Sequence, residues 1–150
     1  MDRLKIVVLD RDTLGDDVPL DALYALGDVA VYGLTAPELV GERIADADVV
    51  VINKIKMNES NLKHADKVKL ICLAATGYDN VDTAYCREKG IAVCNVVGYS
   101  TQSVAQVTAA MALSLCTKLS QYRQFVMSGE YSRQPMMNRL EPPVLSQQEV

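Results

Sequence analysis

The residues best placed to do chemistry in this 150-residue chain are small polar groups that directly follow short apolar runs. Ala75-Thr76-Gly77-Tyr78-Asp79-Asn80 comes straight after Leu70-Ile71-Cys72-Leu73-Ala74. A glycine between a buried strand and a helix start permits close backbone approach and can present successive N–H groups to an anion, so a small carboxylate would suit this loop. The same residues also fit an ordinary turn in which Asp79 or Asn80 caps the next helix. Asn53-Lys54-Ile55-Lys56 follows another apolar run and would add positive charge if the two loops are neighbours, although lysines after a strand are also commonly just solvated. Tyr99, after Gly98, could point its hydroxyl into the same crevice or simply cover the start of the helix that follows.

Other chemistries fit less well. Asp10, Asp12, Asp16 and Asp17 cluster after the first apolar run and invite comparison with a phosphoacceptor receiver domain, but the third run ends in Asn53, which cannot form an acyl phosphate. The four cysteines, Cys72, Cys86, Cys94 and Cys116, lie in apolar segments with no CxxC pair and no grouping around the single histidine, His64. They read as buried thiols in a reducing compartment, with no metal site expected. His64 falls in an outer helix and reads as a surface residue. A formal charge of −4, from 15 basic and 19 acidic residues mixed along the chain, provides no basic stripe for phosphates, so nucleic acid is not expected as a partner. The first apolar run is flanked by charge and too short for a signal-peptide core or a membrane span, and a cytoplasmic protein is expected.

The elements that must position these residues alternate. Lys5–Asp10, 29–34, 49–53, 70–74 and 91–95 are short runs rich in β-branched residues, the pattern of strands buried on both faces of a parallel sheet. Between them, 20–26, 37–47, 59–65 and 81–89 carry helical spacing, the second opening on Thr35-Ala36-Pro37-Glu38 with a plausible cap and proline in the first turn. Repeated βα units with right-handed crossovers build an α/β fold, a flavodoxin-like open parallel five-stranded sheet with helices on both faces. Ligands of such sheets sit outside the carboxyl ends of the strands, where the loops named above converge.

The last third differs. From Ser100 to Gly129 there is no strand signal and no breaker, so a single long helix is expected, apolar round almost its whole circumference between Val104 and Leu119. Such a helix should be buried on more than one side, either in this domain's core or wedged against a second body. From Glu130 to Val150 periodicity is lost and Pro142-Pro143 prevents regular structure, so an extended arm is expected. The organisation read from the sequence is therefore 1–99 as one domain, 100–129 as a long interdomain-type helix and 130–150 as an arm.

Leu73-Ala-Ala-Thr-Gly-Tyr-Asp-Asn-Val-Asp82, then Cys86-Arg-Glu-Lys-Gly-Ile-Ala-Val-Cys-Asn-Val96 and Gly98-Tyr-Ser-Thr-Gln-Ser-Val-Ala-Gln106, resemble the D-isomer-specific 2-hydroxyacid dehydrogenases, with the nearest likeness to the glycerate dehydrogenase (hydroxypyruvate reductase) branch. Ile6-Val-Val-Leu-Asp10, Asn53-Lys54 and Ser128-Gly-Glu-Tyr-Ser132 extend the likeness over residues 1–143. The resemblance implies a two-domain enzyme in which this part grips a small 2-hydroxy or 2-keto acid and a Rossmann domain binds NAD or NADP and supplies the catalytic arginine, glutamate and histidine. It implies that the Thr76 and Gly77 amides hold the substrate carboxylate, that Asn53 and Lys54 line the pocket, and that Tyr99 closes its edge. Ser103 and Val104 would face the nicotinamide, and the long helix and arm would join a partner subunit in a homo-oligomer.

No GxGxxG occurs in the sequence and no residue matches the family's catalytic set, so no catalytic residue is assigned and no cofactor is expected to bind tightly to this chain alone. Val97 stands where the family's loop usually has proline, and Val107 where this branch usually has histidine. The expected function is the substrate-binding domain of an NAD(P)-dependent 2-hydroxyacid dehydrogenase. The alternative is a non-catalytic, truncated homologue that binds a small carboxylate or pairs with a full-length subunit.

Overall fold

A computed structural model describes residues 3–133. These fall into two compact units that divide between Tyr99 and Ser100, and each is described by itself.

Unit one is built on five strands, β1 (Leu4–Val8), β2 (Gly27–Val31), β3 (Val49–Ile52), β4 (Leu70–Leu73) and β5 (Ala92–Cys94). All four pairings are parallel and the order is β2-β1-β3-β4-β5, the flavodoxin-like arrangement expected from the sequence. Four helices connect or follow them: α1 (Asp21–Leu26), α2 (Val40–Ile44), α3 (Glu59–Leu62) and α4 (Thr83–Glu88). Register aligns Val7, Val50, Ile71 and Val93 in one cross-strand row, and Ile52 lies beside Leu73 on the same face. This face packs against Val40 and Ile44 of α2, Leu62 of α3 and Cys86 of α4 to form the main core. Ile44, Val50 and Ile71 are fully buried there, and burying each such side chain stabilises the fold by about 1.5–3 kcal/mol. The other face carries Ile6 and Val8, both buried, and then half-buried Val49, Val51, Leu70 and Cys72. Right-handedness of the β1-to-β2 crossover assigns α1 to that second face.

Element boundaries differ from the expected ones where local hydrogen bonding competes. The helix expected over 37–47 begins as a 3-10 turn, Pro37–Leu39, and becomes α-helical only at Val40. Thr35 does not cap it, because its hydroxyl donates to the Leu9 carbonyl and the Arg43 guanidinium donates to Thr35 Oγ1. The next helix is better capped: Asn58 and Asn61 form a reciprocal capping box at the start of α3.

Unit two begins with α5 (Thr101–Cys116), followed by α6 (Leu119–Met127) and the single turn α7 (Glu130–Arg133). The continuous helix expected over 100–129 is therefore interrupted. Lys118 sits in the left-handed region at φ 54° and ψ 34°, although neither glycine nor proline is present there. A left-handed non-glycine residue costs about 1–2 kcal/mol, and the break lets α6 bring Phe125 to a buried position with the Tyr131 ring edge-on at 6.2 Å. The burial expected for α5 is not found either. None of its residues is buried among the described residues. The expected arm begins with α7 rather than extended chain, and its remainder, from Gln134, lies outside the described residues. No helix among the described residues is long and apolar enough to cross a membrane.

Candidate functional site

At the carboxyl ends of β1, β3, β4 and β5 the loops are bound to one another by hydrogen bonds from a few buried or half-buried polar side chains. Asp10, just past β1, is only 2% exposed. Its carboxylate accepts from the backbone N–H groups of Asn53 (2.9 and 3.1 Å), Lys54 (2.6 Å) and Ile55 (3.3 Å). The loop after β3 is thus wrapped round a carboxylate, and its three amides are already occupied. Asn53 is engaged on every side. Its Nδ2 donates to the Thr13 carbonyl (3.2 Å) and hydroxyl (3.0 Å), and its own carbonyl accepts from Asn80 Nδ2 at 3.3 Å.

Asn80 also donates to the Ile55 carbonyl at 2.7 Å, and a parallel bridge between Met57 and Val81 continues the stitching. Helix α4 is capped by Asp82, whose carboxylate accepts from Tyr85 N–H at 3.0 Å. The turn over Asp79 and Asn80 is present, with Val81 N–H donating to the Tyr78 carbonyl at 3.0 Å, but neither residue caps the helix. Asn80 bridges to the neighbouring loop, and the cap lies further along.

The loop after β4 is organised in the opposite sense to the one after β3, because four of its carbonyls are tied while the amides of residues 76–78 are free. Ala75 O accepts from Val96 N–H at 3.0 Å, and Thr76 O accepts from Asn95 Nδ2 at 2.7 Å. Tyr78 O accepts from Val81 N–H at 3.0 Å, and Asn80 O from Met57 N–H at 2.8 Å. The N–H groups of Thr76, Gly77 and Tyr78 have no hydrogen-bond partner among the described residues. Thr76 and Gly77 are exposed, so two consecutive amides without a partner belong to solvent-accessible residues. Successive unpaired N–H groups are what a backbone anion site requires. The Thr76 hydroxyl donates to Val96 O at 3.0 Å, which leaves it only lone pairs to offer, so Thr76 contributes to an anion site through its amide.

Gly77 does not have a positive φ. A β-carbon there would meet only Asp79 Oδ1, at 3.2 Å, so its use is open approach to the amides and not an unusual backbone angle. The exposed Asp79 carboxylate has no partner among the described residues and stands as a like charge beside any anion at Gly77. On the neighbouring loop the Lys54 and Lys56 side chains are exposed and make no ion pair among the described residues.

The remaining residues singled out from the sequence are dispersed. Tyr99 is 65% exposed at the end of unit one. Ser103 and Val104 lie in the first turn of α5 in unit two, both exposed. His64 is exposed, as expected. The cysteines correct the expectation of four buried thiols: Cys86 is buried, Cys72 and Cys116 are half-buried and Cys94 is exposed on the edge strand. Burial pushes the Cys72 thiol up from the ordinary value, with a further contribution from Cys94, its register neighbour across β4 and β5. Burial also raises the Cys86 thiol, helped by the Asp82 charge. No group of three or more His, Cys, Asp or Glu residues that could hold a metal occurs among the described residues.

Nor do these loops fit a dinucleotide's pyrophosphate, which needs a glycine-rich turn whose free amides open a helix. The 53–55 amides are spent on Asp10, and the 76–78 amides precede only the six-residue α4, which starts at Thr83. The loop-tying roles of Asp10, Asn80 and Asn95 are what sequence reasoning missed. For Asp10 and Asn95, a polar residue just after a buried strand was the available signal.

The chain and its fold have counterparts among known proteins. A profile of the D-isomer specific 2-hydroxyacid dehydrogenase catalytic domain matches residues 6–140. The hydroxypyruvate reductase of Blautia hydrogenotrophica is 38% identical over 136 residues, covering 88% of this chain and 42% of that protein. The glycerate dehydrogenase of Methylorubrum extorquens is 30% identical over 141 residues, covering 93% of this chain and 44% of that one. Among solved structures, the D-lactate dehydrogenase from Aquifex aeolicus complexed with NAD and lactic acid superimposes with a TM-score of 0.72 at 26% identity, covering 91% of this chain and 41% of that one. The chain therefore spans about two fifths of the length of the relatives it matches.

Proposed function

The chain belongs to the D-isomer specific 2-hydroxyacid dehydrogenase family, and from that premise we propose that it is the substrate-binding part of a glycerate or hydroxypyruvate type enzyme. Its ligand is a small 2-hydroxy or 2-keto acid whose carboxylate is held by the Thr76 and Gly77 amides. The observation that carries this reading is the contrast between two adjacent loops: the 53–55 amides are consumed by Asp10, whereas the Thr76 and Gly77 amides are free and belong to peptides whose carbonyls are tied. Lys54 supplies the positive charge, Asn53 holds the loop that carries it, and Tyr99 closes the edge.

NAD or NADP is the hydride carrier when the nicotinamide is bound, with Ser103 and Val104 facing it. This chain alone does not hold the cofactor tightly. Hydride transfer also needs an acid for the developing alkoxide, and the only histidine, His64, is exposed and lies just after α3, outside the loops that carry the proposed ligand residues.

Thermal unfolding with D-glycerate, and with glycerol as the uncharged control, tests the reading, since a ligand that binds only the folded state raises its stability. The midpoint rises with glycerate and not with glycerol. An equal response to both sinks the carboxylate assignment, and oxidation of NADH with hydroxypyruvate by the chain alone, above a buffer blank, sinks the non-catalytic part.

A second reading is favoured by α5. Val104, Met111 and Leu115 are exposed by 60%, 58% and 78%, so the helix presents apolar surface through which the chain would pair with a copy of itself or with a full-length subunit.

A further inference from the structure

We infer that Asn95 is a positioning residue that aims the Gly77 N–H at the ligand carboxylate, an inference that rests on the reading of the 76–77 amides given above. Asn95 is half-buried directly after β5, and its Nδ2 donates to the Thr76 carbonyl at 2.7 Å. That carbonyl and the Gly77 N–H belong to one planar trans peptide and point in opposite directions. Holding the carbonyl toward β5 therefore holds the N–H away from it.

The neighbouring donor, Thr76 N–H, is aimed in the same way through the Ala75 carbonyl, but there the anchor is the Val96 N–H at 3.0 Å. One amide of the pair is thus set by main chain and the other by a side chain. Only the second can be released by a side-chain change that leaves every main-chain donor in place.

The released peptide has somewhere to go. A peptide that precedes glycine flips between turn geometries more readily than any other, because glycine accepts the positive φ that the flipped form demands. Asn95 also lines an open groove of about 410 Å³ together with Tyr78, Thr83 and Arg87, so water can reach the Thr76 carbonyl once the amide is removed. The consequence of losing Asn95 is then a misdirected donor in a folded chain, and not collapse of the core.

Asn95→Ala and Asn95→Asp separate positioning from packing, since aspartate keeps the shape but as a carboxylate cannot donate to a carbonyl. In isotope-labelled chain titrated with D-glycerate, both variants weaken binding about tenfold, the scale of one hydrogen bond to a charged group. The ligand-induced shift at Gly77 N–H shrinks while that at Thr76 N–H keeps its direction. A purely structural role would diminish both amides together and leave the affinity of the folded fraction unchanged, and that result overturns the inference.

The ligand-free residual dipolar coupling of Gly77 N–H gives an independent readout. It changes between wild type and Asn95→Ala if the peptide reorients, and an unchanged coupling overturns the inference whatever the binding data show. A wild-type chain that ignores glycerate, combined with a changed coupling, removes the functional reading and leaves Asn95 as the residue that sets this peptide.

Discussion

Replacing Asp10 by alanine removes the carboxylate round which the 53–55 loop is folded. Two of its donors, the Asn53 and Lys54 amides, sit at 2.6–3.1 Å, and Ile55 makes a longer contact at 3.3 Å. Asp10 is 2% exposed and the bonds lie in part-buried surroundings, so water replaces the oxygens incompletely. A stranded donor costs about 1–3 kcal/mol. With two strong donors and one weak one, Asp10→Ala is expected to destabilise by about 3–5 kcal/mol, a large share of the about 5–15 kcal/mol typical of a domain.

Asparagine keeps one acceptor but turns its NH2 toward N–H donors, so Asp10→Asn should lose about 2 kcal/mol. Urea unfolding followed by circular dichroism reads both. With a slope of about 1–1.5 kcal/mol per molar, the alanine midpoint falls by about 2–5 M and the asparagine midpoint by less. An alanine variant within about 1 kcal/mol of wild type would refute the claim that Asp10 holds this loop, and so would an asparagine variant worse than alanine.

Other consequences concern charge and thiols. Asp79→Asn removes the like charge beside Gly77 and should tighten D-glycerate binding severalfold, most at low salt; weaker binding in calorimetry would show that Asp79 helps to hold the ligand. Exposed Cys94 should react with iodoacetamide first in native chain, and Cys86, buried and with its thiol pushed up, should react last, as peptide mass mapping would show. Because the Cys72 and Cys86 thiols are raised from 9.0, their contribution to stability is intact below that value and is lost as pH rises through and beyond it. Cys86→Ala should therefore lessen the fall in unfolding midpoint above about pH 9, and an unchanged alkaline profile would contradict the burial argument.

The strands were legible because a parallel strand covered on both faces needs no alternation, and Ile6-Val7-Val8 or Val49-Val50-Val51 has no other use. The loop after β4 drew attention for a similarly local reason, a glycine four residues beyond the last residue of a buried strand. What escaped depends on partners far away in sequence. Asn95 reaches Thr76 across 19 positions and Asp10 reaches Asn53 across 43, so neither bond follows from local spacing. The break at Lys118 escaped because a left-handed lysine costs only about 1–2 kcal/mol, and the packing of Phe125 and Tyr131, which no breaker residue announces, goes with it. Asn53 is a pocket residue by the family resemblance. Only its surroundings show that its donors are spent on Asp10 and Thr13, which makes it a holder of the loop.

The most direct test of the carboxylate site is an amide-resolved nuclear magnetic resonance titration of the chain with D-glycerate, with glycerol run in parallel. The Thr76 and Gly77 amides should show the largest, saturable shifts with glycerate and none with glycerol, while the Asn53, Lys54 and Ile55 amides, already bound to Asp10, move little. Largest shifts at residues 53–55, or matching shifts with glycerol, would contradict the account.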